Sequence, residues 1–187
     1  MDYRQSVADL LKVLQDMGPA AEKVFMETAA ALTRCVEAGG KILIFGNGGS
    51  AAQAQHFAAE LVNRFLRDRR PLPAVALNTD CSILTSVGND VGFESVFKRQ
   101  VIALGNKGDA AVGLSTSGSS TNVVEGLAAA RSCGMLTVAL TGSGNGRLQE
   151  AGAVDYLISV PSISVPRVQE AHLLLLHLLA DEIESTC

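Results

Sequence analysis

The chain has 187 residues, of which 48% are apolar, only 4% aromatic and none Trp, and its net charge is −4. That is the size of one ordinary domain, and its core must be built mainly from Ala, Val, Leu and Ile. No extended basic tract is present, which argues against a nucleic-acid groove; the short run Arg67-Asp-Arg-Arg70 reads as a solvated helix end.

Residues 3–38 carry apolar side chains at helical spacing: Val7, Leu10, Leu11, Val13 and Leu14, then Val24, Phe25, Ala29, Leu32 and Val36. Gly18-Pro19 interrupts the pattern and Gly39-Gly40 ends it, so two helices are expected. Lys41 to Phe45 reads as a buried strand, and Ala51 to Leu66 as a helix opened by Ser50. Ala74 to Leu77 is a strand; Ser82 to Val87 and Val96 to Leu104 are helices. Ala110 to Leu114 is a strand, Thr121 to Ser132 a helix and Leu136 to Leu140 a strand. Gly146 to Ala151 is a short helix, Tyr156 to Val160 a strand, and Val165 to Ser185 a long final helix.

Five short apolar strands separated by helices predict an α/β fold, a three-layer αβα sandwich around a five-stranded parallel sheet, with an N-terminal helix pair beside it. No linker or composition shift divides the chain, so 1–187 is expected to be one domain, with its α/β core over 39–187. Ligands of such sheets bind outside the carboxyl ends of the strands. The loops after Phe45, Leu77, Leu114 and Leu140 are therefore where chemistry is expected.

The four cysteines, at 35, 81, 133 and 187, form no C-x-x-C pair and adjoin no His cluster. They read as buried thiols in a reducing compartment rather than as disulfides or a Cys-type zinc site. Met1-Asp-Tyr-Arg-Gln lacks an apolar signal core, and the run Leu173–Ala180 is broken by His177 and too short for a bilayer. The expectation is a cytoplasmic protein with no membrane or nucleic-acid partner.

Five segments carry candidate chemistry. Gly46-Asn47-Gly48-Gly49-Ser50 joins a strand to a helix, where glycines let an anion or a hydroxylated ligand approach the backbone. Alone it is equally a tight turn with Ser50 as N-cap, and its spacing fits neither the dinucleotide nor the P-loop pattern. Leu114-Ser-Thr-Ser-Gly-Ser-Ser-Thr-Asn122 sets six hydroxyls at a helix N-terminus, more than capping needs, which favours a phosphate site. His56 and Glu60 stand at i, i+4 on one helix face; in isolation a surface ion pair or a capped core histidine is the better reading. Gln169, His172 and His177 lie on the last helix, and the two histidines are roughly 140° apart around it. His177 alone reads as a core histidine bonded to a carbonyl. Ser86-Val-Gly-Asn89-Asp90 is a polar turn that suits either sugar hydroxyls or a helix end.

Together these segments resemble the sugar isomerase (SIS) domain, and within it the phosphoheptose isomerase family. The resemblance rests on Phe45-Gly-Asn-Gly-Gly-Ser50, Gln55-His-Phe-Ala-Ala-Glu-Leu61 with Arg64, Val87-Gly-Asn-Asp90, Ser115-Thr-Ser-Gly118 with Ser120, and Arg167-Val-Gln-Glu-Ala-His172 with His177. It implies a flavodoxin-like strand order and conversion of sedoheptulose 7-phosphate to D-glycero-D-manno-heptose 7-phosphate through an enediol, the first step of ADP-heptose synthesis for the lipopolysaccharide core. It implies that Glu60 and His177 are catalytic, and that one zinc per subunit is held by His56, Glu60, Gln169 and His177. Substrate contacts are implied at Asn47, Gly48, Gly49, Glu60, Arg64, Asn89, Asp90, Ser115, Thr116, Ser117, Ser120 and Gln169. It also implies a homotetramer with active sites at subunit boundaries, in which residues 1–38 serve oligomerisation. A paralogue of the same fold that binds the replication initiator DnaA lacks the catalytic carboxylate; Ala51-Ala52 and Leu77-Asn-Thr-Asp80 resemble it, but Glu60, Gly48-Gly49 and His177 favour the enzyme. An isomerase of another sugar phosphate is the other alternative. Two departures from the family pattern are Gly142-Ser-Gly-Asn-Gly146, where an Asp-Gly-Gly turn is usual, and Ser119, where Asn is common.

Overall fold

The computed structural model describes residues 2–144, 146–150 and 154–186. Two helices open the chain, α1 (Tyr3–Asp16) and α2 (Gly18–Glu37). The break falls at Met17, one residue before the Gly-Pro pair. Pro19 sits in the first turn of α2, where its missing N–H has no intrahelical acceptor to lose.

The core then alternates: β1 (Ile42–Gly46), α3 (Gly49–Val62), β2 (Ala74–Ala76), α4 (Cys81–Asp90), a single 3-10 turn (Phe93–Ser95), α5 (Val96–Leu104), β3 (Ala110–Ser115), α6 (Thr121–Ser132), β4 (Leu136–Thr141), α7 (Arg147–Glu150), β5 (Tyr156–Ser159) and α8 (Val165–Thr186). The five strands form one parallel sheet in the order β2-β1-β3-β4-β5. This is the expected flavodoxin-like order, and it reverses direction between β1 and β3.

Strand pleating explains how a sheet of continuous apolar runs is covered twice. Side chains alternate faces along a strand. Ile42, Ile44, Val112, Leu114, Val138, Leu140 and Ile158 join one core with residues of α1, α2, α3 and α8. Leu43, Phe45, Ala111 and Ala139 join a second core with α4, α5 and α6. The aromatic-poor core is most bulky where Phe45 stacks on Phe97, ring centroids 5.0 Å apart.

Several expected boundaries move. Ser50 does not cap α3: the N-cap is Gly48, at φ 56° and ψ −120°, and Ser50 is buried inside the first turn. That backbone conformation suits glycine, so the turn depends on Gly48 for its geometry. α3 stops at Val62 rather than Leu66 because the chain beyond it is taken up by other partners. The Arg69 guanidinium donates to the carbonyls of Glu60 (2.8 Å), Leu61 (2.7 Å) and Asn63 (3.2 Å). Arg69 thus closes the helix end from inside, with only 6% of its side chain exposed, while Arg67, Asp68 and Arg70 of the same run are exposed, as expected. α4 continues through Asn89 and Asp90, which form its last turn rather than a turn beyond it. The expected helix 146–151 is the short α7; Ala151, like Asn145 of the departing turn and Cys187, lies outside the described residues. Cys35 is buried, and burial pushes its thiol up to about 11, but Cys81 is exposed, against the expectation of buried thiols throughout. Among the described residues no helix is long and apolar enough to cross a membrane.

Candidate active site

The direction reversal of the sheet puts the loops after β1 and β3 side by side at its carboxyl edge, where such sheets open a crevice. Asn47, Gly48, Gly49 and Ser50 from the first loop, Ser115, Thr116 and Ser120 from the second, and Val165 and Gln169 from α8 line a cavity of about 270 Å³ there. The two loops are tied directly: Asn47 and Asn122 exchange side-chain hydrogen bonds of 2.8 and 2.9 Å.

Ser120 occupies the N-cap position of α6, yet its side chain caps nothing. Its hydroxyl instead meets that of Ser115 at 3.0 Å, and Ser115 lies 3.5 Å from Ser117. The hydroxyls are gathered with each other at the positive end of a helix, an arrangement suited to an anion. All the residues lining this cavity are uncharged. Arg147 of α7 reaches the start of α6, its guanidinium donating to Thr121 Oγ1 at 3.1 Å.

Gln169 crosses toward the first loop. A Cβ added to Gly49 would stand 2.4 Å from Gln169 Nε2, so glycine at 49 makes room for the amide. The Gln169 carbonyl in turn accepts from Gln53 Nε2 at 2.6 Å, fixing α8 against α3.

Farther along α3 and α8, three side chains converge. His56 Nε2 and Glu60 Oε1 are 3.0 Å apart, His177 Nε2 and Glu60 Oε1 3.4 Å, and the two Nε2 atoms 3.0 Å. At most one of those nitrogens carries a hydrogen toward the other. Glu60 is 8% exposed, and its Oε2 has no hydrogen-bond partner among the described residues. Burial pushes its carboxyl above the ordinary glutamate range; the two imidazoles pull the other way, and Glu184 adds to the rise. Phe65 stacks on the His177 ring with centroids 5.5 Å apart, so His177 is not the core histidine its helix position suggested. The fully buried histidine is His172, though neither of its ring nitrogens has a hydrogen-bond partner among the described residues; burial lowers it to about 4, with the Thr141 backbone opposing the fall.

His56, Glu60 and His177 could hold a metal ion. Zinc bonds to N and O ligands run near 2.0–2.2 Å, which puts tetrahedral ligand atoms about 3.3 Å apart. The three observed separations match that spacing, and the orphaned Oε2 beside two imidazoles is consistent with a cation site. Gln169, two helical turns before His177, has its amide at Gly49.

The remaining expected site residues stand apart in the single chain. Arg64 is exposed and makes no hydrogen bond or ion pair among the described residues. Asn89 and Asp90 are exposed and bonded to each other at 2.7 Å. The turn that follows them brings Phe93 and Glu94 to a neighbouring cavity shared with Asn47, Ser120 and Asn122. Asn122 and Arg147 were not singled out from sequence. Only the position of Asn122, directly after the six hydroxyls of residues 115–121, hinted at it.

Fold and site together define a SIS-type α/β protein built to hold a phosphorylated sugar. The SIS domain family matches residues 2–142. The phosphoheptose isomerase of Geobacter metallireducens is 54% identical over 156 residues, 83% of this chain and 82% of that protein. That of Rhodospirillum rubrum is 47% identical over 97% of this chain and 94% of its own length. Among solved structures, a phosphoheptose isomerase from Francisella tularensis superposes with a TM-score of 0.92 at 36% identity, covering 97% of this chain and 96% of that one. The enzyme from Neisseria gonorrhoeae gives 0.89 at 42% identity, again covering 97% and 96%. The chain belongs to the phosphoheptose isomerase family, and it is a sugar-phosphate isomerase.

Proposed function

We propose that this protein interconverts sedoheptulose 7-phosphate and D-glycero-D-manno-heptose 7-phosphate through an enediol, in the cytoplasm, as the first step of ADP-heptose synthesis for the lipopolysaccharide core. The observation that carries the reading is Glu60: a buried carboxylate in contact with two imidazoles, on the helix that begins at the anion-suited loop. Isomerisation moves one proton between adjacent carbons and one between their oxygens. Glu60 removes the proton at C1 of the ketose and returns it at C2. His177, whose imidazole can both donate and accept, serves the oxygens. The hydroxyls of Ser115, Ser117 and Ser120 and the N-terminus of α6 hold the phosphate, with Thr116 beside them, while Asn47, Gly48, Gly49 and Gln169 face the sugar chain.

His56, Glu60 and His177, joined by Gln169, would hold zinc, which when bound would polarise the substrate carbonyl. The carboxylate and two imidazoles are an acceptable donor set for it.

The homotetramer is proposed on the apolar surface of the helix pair. Tyr3, Val7 and Leu11 recur every four residues on α1 and are exposed; Leu174 and Leu178 do the same on α8, beside a groove lined by Met17, Pro19 and Phe25. Closure by a neighbouring subunit would also give Arg64, Asn89 and Asp90, solvated in one chain, a site to face.

The test is an isomerase assay on sedoheptulose 7-phosphate, with and without a chelator. Glu60→Gln should bind substrate and lose turnover, and His177→Ala should lose most of kcat. Near-normal turnover by Glu60→Gln refutes the assignment. Turnover of a hexose phosphate but not of the heptulose refutes the substrate.

A further inference from the structure

Beyond the residues expected to touch substrate or metal, α8 carries a second buried carboxylate. Glu184 is two turns past His177, and its side chain is fully excluded from solvent. A buried carboxylate needs full hydrogen-bond and charge compensation. Glu184 has it from one short segment. Its oxygens accept from the backbone N–H groups of Phe65 (3.2 Å), Leu66 (2.7 Å) and Arg67 (2.9 Å). Arg69 Nε stands 3.5 Å from Oε2 and Arg67 Nη1 3.6 Å from Oε1.

The same Arg69 donates to the carbonyls that end α3, including that of Glu60 itself. The segment that Glu184 holds also delivers Phe65, whose ring lies nearly parallel to His177, at 13°. Thus one carboxylate–guanidinium unit fixes the backbone at Glu60, the end of α3, and the ring against which His177 rests. The two residues proposed to move protons come from different helices, and the unit joins those helices a few residues beyond both.

We propose that Glu184 and Arg69 are positioning residues: they set the mutual placement of Glu60 and His177 through the α3 carbonyls and through Phe65. This rests on the assignment of Glu60 and His177 given above. Groups that orient ligands from behind typically change metal affinity or activity 10–100-fold when lost.

The test uses the full-length protein and three conservative variants: Glu184→Gln, Arg69→Lys and Phe65→Leu. For each, kcat, KM for the sugar phosphate and Zn²⁺ affinity by competition with a chromophoric chelator are measured, with circular dichroism to establish folding. Expected for the first two is a kcat lower by about 10-fold or more, a KM within about twofold, and Zn²⁺ bound about 10-fold more weakly. Phe65→Leu keeps the clamp and removes the ring; it should lower kcat with less effect on Zn²⁺ binding, and it remains informative if the charge variants do not fold. Folded variants with unchanged kcat and Zn²⁺ affinity overturn the proposal, as does a loss of thermal stability alone. Glu60→Gln run in parallel separates the two ideas: if it turns over normally the site assignment has failed, whereas a dead Glu60→Gln beside fully active clamp variants sinks only the clamp.

Discussion

Asn47 and Asn122 face each other as a reciprocal amide pair, with donor–acceptor distances of 2.8 and 2.9 Å in the two directions. One follows β1 and the other opens α6, so the pair staples together the two loops that the sheet's reversal sets side by side. Each amide keeps a donor hydrogen and lone pairs for a ligand after making it.

Asn122→Ala should therefore act twice. Two hydrogen bonds vanish and the Asn47 amide loses its partner, a cost of about 1–3 kcal/mol. With the loops no longer in register, KM for the sugar phosphate should rise more than kcat falls. Urea denaturation and steady-state kinetics on the same preparation check both; an unchanged KM would show that the loops hold their register without the pair.

The adjacent glycines separate backbone strain from function. At Gly48, φ is 56°, so Gly48→Ala forces a side chain into a conformation costing about 1–3 kcal/mol whatever space is available. Gly49→Ala instead meets the end of a flexible side chain, Gln169 Nε2, at 2.4 Å. The amide can swing aside, so stability should change little while substrate binding suffers. Thermal melts should rank Gly48→Ala below Gly49→Ala, and KM should be raised in Gly49→Ala.

His172 should make the fold sensitive to acid. Its folded value is about 4 because burial disfavours the imidazolium, against about 6.5 in an unfolded chain. The unfolded state thus binds the proton first. Its contribution is fully present above about pH 6.5 and is lost as pH falls toward 4, by about 3 kcal/mol over that window. Unfolding free energies measured from pH 7 to 4 should decline more steeply in the wild type than in His172→Leu. Parallel curves would show that His172 is not the sensor.

How much of this was legible in the sequence follows from periodicity and reach. Strands and helices announce themselves because burial on both faces makes Ile42–Phe45 and Ala110–Leu114 continuous apolar runs. The hydroxyl loop is legible because Ser115–Ser120 is contiguous. The convergence of His56, Glu60 and His177 is not, since it joins residues more than 110 positions apart through the packing of α3 on α8; only the family resemblance supplied it. Glu184 and Arg69 escaped for the opposite reason. An Arg-rich run after a helix and a Glu near a C-terminal end both look like solvated surface, and nothing local shows that each neutralises the other inside. The end of α3 was misplaced with them, because apolar Phe65 and Leu66 continue the helical pattern that Arg69 and Glu184 interrupt.

The His56, Glu60 and His177 cluster yields a prediction that does not depend on turnover. Three donor atoms 3.0–3.4 Å apart, one of them a carboxylate whose burial already disfavours its charge, are destabilised when nothing neutralises them. A divalent cation bound only by the folded chain stabilises it by RT ln(1 + [L]/Kd), about 2.7 kcal/mol at a hundredfold excess over Kd. For a domain of this size that raises Tm by roughly 5–10 °C. Chelator-treated protein should therefore melt lower than protein supplied with Zn²⁺, and His56→Ala should lose most of the difference. Nitrogen ligands must be unprotonated to bind, so the shift should shrink on acidification. Mg²⁺, which prefers oxygen ligands and retains its water, should not substitute. Equal melting temperatures with chelator and with Zn²⁺, or an equal shift in His56→Ala, would mean that the three side chains form a proton-transfer cluster rather than a metal site.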